Sequence, residues 1–147
     1  MKTKSIPDGF HTVTPYLVVK GAAQLMEFMK KAFDAKQIYV SNRPDGTIMH
    51  ATMQVGDSMV MLAEATEQYP VLPSMIYLYV PDTDAVYKKA MAAGATSIME
   101  PADQFYGDRN AGVKDATGTQ WWIGTHIEDV TEEELNERQK KLMDKPH

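Results

Sequence analysis

Tyr16-Leu17-Val18-Val19, followed by a helical run ending at Ala32, recurs as Tyr77-Leu78-Tyr79-Val80, followed by a helical run ending at Ala93. The spacing is 61 residues, and Gly56-Asp57-Ser58-Met59-Val60-Met61 recurs at a spacing of 62 as Gly118-Thr119-Gln120-Trp121-Trp122-Ile123. Two matched segments at nearly one spacing mark a duplicated unit of about 60 residues. Two copies of such a unit, facing each other, enclose a cavity at their pseudo-two-fold junction, and function is expected there.

Working outward from the first copy, Val13 to Val19 reads as a strand and Gly21 to Ala35 as a helix. Ala22, Leu25, Met26, Met29, Ala32 and Phe33 form its apolar stripe. A short strand from Gln37 to Asn42, the turn Arg43-Pro44-Asp45-Gly46 and a hairpin from Thr47 to Ala65 complete the unit. In that hairpin Met49, Ala51, Met53 and Val55 alternate against Ile48, His50, Thr52 and Gln54. Thr66 to Ser74, with Pro70 and Pro73, is the linker.

The second copy runs from a strand at Met75 through a helix capped by Asp82 and stopped by Gly94. A strand at Thr96 to Glu100, a loop Pro101 to Arg109 and a hairpin turning at Asp115 to Gly118 follow. Each copy is therefore β-α-β-β-β, with module one at about 10–66 and module two at about 74–127. A last helix at about 131–143 stands outside the repeat. It opens with the capping box Thr131-Glu132-Glu133-Glu134, stapled by Val130 and Leu135.

Composition bounds the rest. The 147 residues fit one domain made of two halves, and a net charge of −5 argues against a phosphate-backbone binder. The absence of cysteine excludes disulfides, thiolate metal sites and cysteine nucleophiles. No signal peptide or membrane-length apolar run is visible, so a soluble, cytoplasmic protein is expected. Eleven methionines suit either an adaptable core or a permissive ligand pocket.

The chain resembles the glyoxalase, bleomycin-resistance protein and extradiol dioxygenase superfamily (vicinal oxygen chelate fold), and within it the phosphonate-operon-associated branch labelled demethylubiquinone-methyltransferase-like. The residues that carry the resemblance are Thr14 to Val19, Ile48 to Ala51, Gly56-Asp57-Ser58, Met61-Leu62-Ala63, Gly107-Asp108-Arg109, Asp115 through Gly118 with Trp122, and Thr125 to Val130. The resemblance implies an α+β fold: two tandem βαβββ modules forming a curved mixed sheet around a shared cleft, helices on the convex side, and here the extra C-terminal helix. It also implies a homodimer and, in the family's enzymes, a divalent metal held in the cleft.

Carried over residue by residue, the metal positions fall at Thr14, Met75, Trp122 and either Val60 or Leu62. This set does not suit a hard divalent cation, and no cofactor is expected. His50 and Glu64 are the two residues from which a replacement site could be built, and catalytic sites generally use three protein ligands.

The repeat sends Trp122, Met75, Tyr77 and Tyr79 to the cleft, with Val60, Leu62 and Glu64 on the same side as Trp122. Trp121, matched to Met59, goes to the helix layer. Ligand-binding candidates are Thr14, Tyr16, Thr52, Glu64, Met75, Tyr77, Tyr79, Arg109 and Trp122, and His50 is the candidate catalytic residue. Asp108 and Arg109 are read as an ion pair bracing their loop, with Arg109 alternatively clamping an anion. His11 and His147 read as solvated, and His126 has no evident partner. Two functions are set against a third possibility, an interaction module whose cleft is filled by its own side chains. One is a metal-free, bleomycin-resistance-type binder of a planar or apolar small molecule. The other is a lyase-, isomerase- or dioxygenase-like enzyme using a rebuilt metal site or His50 as acid–base. No glycine-rich nucleotide loop follows a strand, which leaves a methyltransferase label without support.

Overall fold

The computed structural model describes residues 2–144, so His147 lies outside the described residues. The duplication is realised element for element. Module one comprises β1 (Tyr16–Val19), α1 (Ala22–Phe33), β2 (Lys36–Asn42), β3 (Ile48–Val55) and β4 (Ser58–Glu64). Module two comprises β5 (Met75–Tyr79), α2 (Thr83–Ala92), β6 (Thr96–Asp103), β7 (Asp108–Lys114) and β8 (Gln120–His126). The C-terminal helix is α3 (Glu132–Met143). The two four-stranded sheets have the same order, β1-β4-β3-β2 and β5-β8-β7-β6. In each, the first strand runs parallel to the last and the other pairings are antiparallel. This is the α+β architecture the repeat predicts. Strand β6 is longer than its sequence suggests and runs on to Asp103, leaving a tight loop at Gln104–Gly107.

Register defines the two faces of each sheet, because cross-strand partners point the same way. Leu17 pairs with Leu62, Leu62 with Ala51, and Met53 with Val60, and all five are buried. They form the helix-facing side, beneath Leu25, Met26, Met29 and Ala32 of α1. In module two Val113, Trp121 and Ile123 are fully buried on the corresponding side. The halves share one core: Phe33 at the end of α1 packs on Trp121 with ring centroids 4.9 Å apart. Outside it, Lys89 of α2 pairs with Asp34 at 2.7 Å.

This register corrects part of the sequence reading. Tyr16 lies across from Met61, as Tyr77 lies across from Trp122. The spacing between β4 and β8 is therefore 61 residues, and 62 holds only at the turn. Met61, not Val60 or Leu62, is the equivalent of Trp122, and Val60, not Met59, is the equivalent of Trp121. Val60, Leu62 and Glu64 accordingly point to the helix layer, since a slip of one residue inverts every side chain of a strand. Met49 also moves: a register break between Ser41 and Asn42 leaves it unpaired and exposed instead of stacked with Met53.

Both helices start against the end of the last strand of their own module. The Glu64 carboxylate accepts from the Gly21 and Ala22 N–H groups at 3.0 and 2.9 Å. Thr125, the repeat mate of Glu64, accepts from the Thr83 N–H at 3.0 Å. Each satisfies amide donors that a helix N-terminus leaves unpaired. At α3, Thr131 accepts from the Glu134 N–H as its capping position predicts, while the Glu134 side chain turns to Arg138. Arg138 binds α3 to the body of its own chain through Glu128 and the Phe105 carbonyl.

Candidate ligand-binding faces

The sheet faces turned away from the helices carry most of the candidate site. In module one that face presents Tyr16, Thr52, His50, Met59 and Met61. The Tyr16 hydroxyl lies 3.1 Å from His50 Nδ1, and His50 Nε2 lies 3.3 Å from the Thr52 hydroxyl. Tyr39 from β2 closes on the same imidazole, with centroids 6.3 Å apart. His50 is thus the centre of a small hydrogen-bonded chain. Thr14 stands just before β1, its hydroxyl 3.5 Å from the His11 carbonyl.

Module two is built differently on the same frame. Met75, Tyr77 and Tyr79 alternate along β5, and Trp122 follows on β8. The Trp122 ring lies across Gly112 and the Tyr77 ring across Gly124, each occupying the space a Cβ would take. At the centre sits Asp108, only 4% exposed. Its Oδ2 accepts from the Tyr77 and Tyr79 hydroxyls, both at 2.8 Å, and its Oδ1 faces His126 Nδ1 at 3.0 Å. His126 Nε2 continues to Asp129 at 2.8 Å. Asn110 donates to the Tyr77 and Tyr106 hydroxyls at 3.1 and 2.6 Å, and its buried Oδ1 has no partner among the described residues.

The electrostatics follow from these contacts. Burial alone raises the Asp108 carboxyl, but hydrogen bonds from His126, Tyr77 and Tyr79 outweigh it, and the net shift is downward. His126 is raised above its ordinary value by hydrogen bonds to Asp108 and then Asp129, which favour the imidazolium. Tyr77 is raised chiefly by burial, and Tyr79 chiefly by its hydrogen bond to Asp108, so both phenols keep their protons.

Two candidates lie elsewhere. Glu64 is on the helix side, engaged with the start of α1. Arg109 neighbours Asp108 in sequence but points to the opposite face, as alternation in β7 requires. It makes a bidentate pair with Asp84 of α2 at 2.7 and 2.9 Å and a further bond to Asp103 at 3.0 Å. The expected Asp108–Arg109 pair does not form, and Arg109 is not placed to clamp a cleft anion. His126, without evident partner in the sequence, has two.

Asn110 and Met61 escaped the sequence reading as site residues, while Asp108 was read as a partner of Arg109 and His126 as unpartnered, and neither was placed with Tyr77 and Tyr79. One signal was present: folding the hairpin back from Lys114 opposite Gln120 places Asp108 directly opposite His126.

The metal positions of the resemblance, with Met61 as the corrected fourth member, offer a hydroxyl, two thioethers and an indole. These donors do not fit a hard divalent cation. Among the described residues no group of three or more His, Asp or Glu is arranged to hold a metal. Asp108, His126 and Asp129 form a line, with the imidazole between its two carboxylates.

A groove of ≈ 810 Å³ runs along the outer edge of β5, between the α1–α2 pair and the β3–β4 turn. It is lined by Phe33, Ile76, Leu78 and Val86 and reaches Met59, Tyr77 and Tyr79. Among the described residues no helix is long and apolar enough to cross a membrane.

Known proteins share this arrangement. An uncharacterised protein of Mycobacterium bovis is 34% identical over 134 residues, covering 84% of this chain and 88% of that protein. A crystal structure of TioX from Micromonospora sp. ML1 superposes with a TM-score of 0.68 at 23% identity, covering 80% of this chain and 99% of that one. A structure described as a putative 3-demethylubiquinone-9 3-methyltransferase, PhnB protein, from Bacillus cereus gives 0.63 at 19% identity, covering 78% and 99%. The fosfomycin resistance protein FosX from Mesorhizobium loti gives 0.57 at 14%, covering 78% and 90%. At these identities the three structures speak for the fold alone. Residues 9–123 match the family model described as Glyoxalase/Bleomycin resistance protein/Dioxygenase superfamily, and the chain belongs to that superfamily.

Proposed function

We propose that this protein binds a planar or apolar small molecule on its helix-free sheet faces, without the family's metal, and does so as a cytoplasmic homodimer. The observation that carries the reading is the aromatic and thioether character of those faces. Met75, Tyr79, Tyr39 and Tyr16 are 61, 66, 57 and 45% exposed in the single chain. Large apolar side chains left open in this number suit a ligand and a covering partner better than bulk water. Thr14, Thr52, Tyr77 and Trp122 complete the proposed lining.

Dimerisation follows from the strand edges. Among the described residues strand β5 has no strand on its outer side, and the outer edge of β1 receives one bond, from the Leu72 N–H to the Val18 carbonyl. A second copy that sets its module two against module one of the first would cover both edges and close the faces into clefts. The test is calorimetric titration with aromatic small molecules, alongside light scattering and metal analysis of untagged protein. Saturable binding by a dimer purified without stoichiometric metal supports the reading. A bound metal, or the absence of any aromatic ligand, overturns it.

One observation favours a second reading, in which His50 is an acid–base catalyst. The Tyr16 hydroxyl beside Nδ1 makes a hydroxyl–imidazole pair on the ligand-facing side. That role would appear as turnover of a bound molecule, abolished by His50→Gln while binding persists.

A further inference from the structure

The hydrogen-bond directions in module two are fixed by chemistry. An ionised carboxylate can only accept, so the two phenols that meet Asp108 Oδ2 must spend their protons on it. The Tyr77 oxygen in turn accepts from Asn110 Nδ2. Tyr79 has no such inward donor among the described residues. Its oxygen is left with an unused lone pair and no proton to offer, on a side chain that is 66% exposed. Tyr106, which receives the other Asn110 hydrogen, finds no acceptor for its own O–H among the described residues and has the opposite polarity.

We infer that Tyr79 acts as a dedicated hydrogen-bond acceptor for the ligand, and that the ligand class is a planar aromatic bearing an O–H or N–H donor. This rests on the small-molecule reading above and narrows it. The buried Asp108 enforces the polarity, because it holds the Tyr79 hydroxyl hydrogen inward. His126 enforces it in turn by donating to the other carboxylate oxygen. Tyr77, at a ring-centroid distance of 5.1 Å and tilted by 53°, buttresses the Tyr79 ring. A ligand lying on this pair would meet the Tyr79 oxygen at its edge, where a ring substituent projects.

Two probes of one shape separate donor from acceptor: 2-naphthol, which can donate, and 2-methoxynaphthalene, which can only accept. Titration calorimetry on the wild-type protein is expected to favour 2-naphthol by roughly 5-fold or more, the scale of one net hydrogen bond. Tyr79→Phe keeps the ring and is expected to abolish the preference by weakening 2-naphthol alone. Asp108→Asn is expected to reverse it. The Asn oxygen would stay with His126, its amide would donate to the tyrosines, and the Tyr79 O–H would be released toward the ligand. Should Asp108→Asn fail to fold, Tyr79→Phe decides alone, since it removes one hydroxyl from an exposed residue. Equal binding of the two probes, or a preference that survives Tyr79→Phe, overturns the inference and leaves the aromatic cleft standing. Failure of both probes to bind overturns both.

Discussion

The two modules agree where they pack on the helices and differ on the sheet faces turned away from them. Leu17, Ala51, Leu62 and Met53 are matched on the helix side by Leu78, Ala111, Ile123 and Val113, and Glu64 and Thr125 do the same service at the two helix starts. On the open face the pairs diverge: His50 against Asn110, Thr52 against Gly112, Met61 against Trp122, Ala63 against Gly124. Yet one contact is kept. Tyr16 bonds His50 at 3.1 Å, and Tyr77 bonds Asn110 at 3.1 Å. The frame constrains a tyrosine on the first strand to meet a polar partner on the third. What that partner is, and what lies under the aromatic rings, is free to vary. Module one uses the freedom for a methionine-lined patch around His50, and module two for a locked ionic network.

The largest expected effect breaks the comparison at Gly124. A methyl there would collide with the Tyr77 hydroxyl and the ring carbons beside it, forcing the ring off Asp108. Gly124→Ala should cost about 3 kcal/mol, combining overpacking with loss of buried hydrogen bonds. The equivalent residue of module one is already alanine. Ala63→Gly should cost only about 1 kcal/mol, through added backbone freedom in a strand. Denaturant unfolding of the two variants measures the asymmetry, and equal losses would mean that the Tyr77 ring does not depend on Gly124.

Next comes the removal of each hub. Asp108→Ala strands two phenols and an imidazole around a buried hole and should destabilise by about 2–3 kcal/mol. His50→Ala loses two bonds, one to the exposed Tyr16 and one to the buried Thr52, and should cost about 1 kcal/mol. Thermal melts of both variants would show whether module two's network is as structural as its burial implies.

These contrasts also show how far the sequence could be read. The duplication, the element order and the opposite facing of Trp121 and Trp122 were legible, because hydrophobic periodicity and repeat spacing encode them directly. The faces of Val60, Leu62 and Glu64 were not. The hairpin turn of module two has one residue more than its counterpart, and matching Gly56 to Gly118 carried that extra residue into the strands. Arg109 was misread for a related reason: adjacency in sequence suggested a pair with Asp108, while strand alternation sends the two to opposite faces. The Asp108 hub needs β5, β7 and β8 assembled at once, and no local pattern contains all three.

A smaller effect tests the shared helix-start device. Glu64→Ala removes the acceptor for the Gly21 and Ala22 N–H groups and should cost about 1 kcal/mol, the usual worth of a helix cap. Thr125→Val should cost a similar amount at α2. It also removes the Thr125 hydroxyl's donation to the Val80 carbonyl at 2.8 Å, so the loss in module two should be the larger of the two.

The smallest effect is the most diagnostic of charge. His126 is raised above its ordinary 6.5, so its contribution is present in full below that value and fades as pH climbs through the raised folded value. Asp108 is lowered below 3.8, so its contribution is present above that value and is lost only as the solution turns more acidic than the folded carboxyl. The two overlap between these limits, and the network is strongest on the mildly acidic side of neutrality. Wild type and His126→Gln should therefore differ most in melting temperature between the ordinary carboxylate and imidazole values and converge as pH rises through the raised folded value of His126. The gap should also shrink in high salt, because the imidazole is half open to solvent. A gap for His126→Gln that stayed constant with pH would mean that the imidazole holds Asp108 as a neutral hydrogen-bond donor, and that module two is locked by geometry rather than by charge.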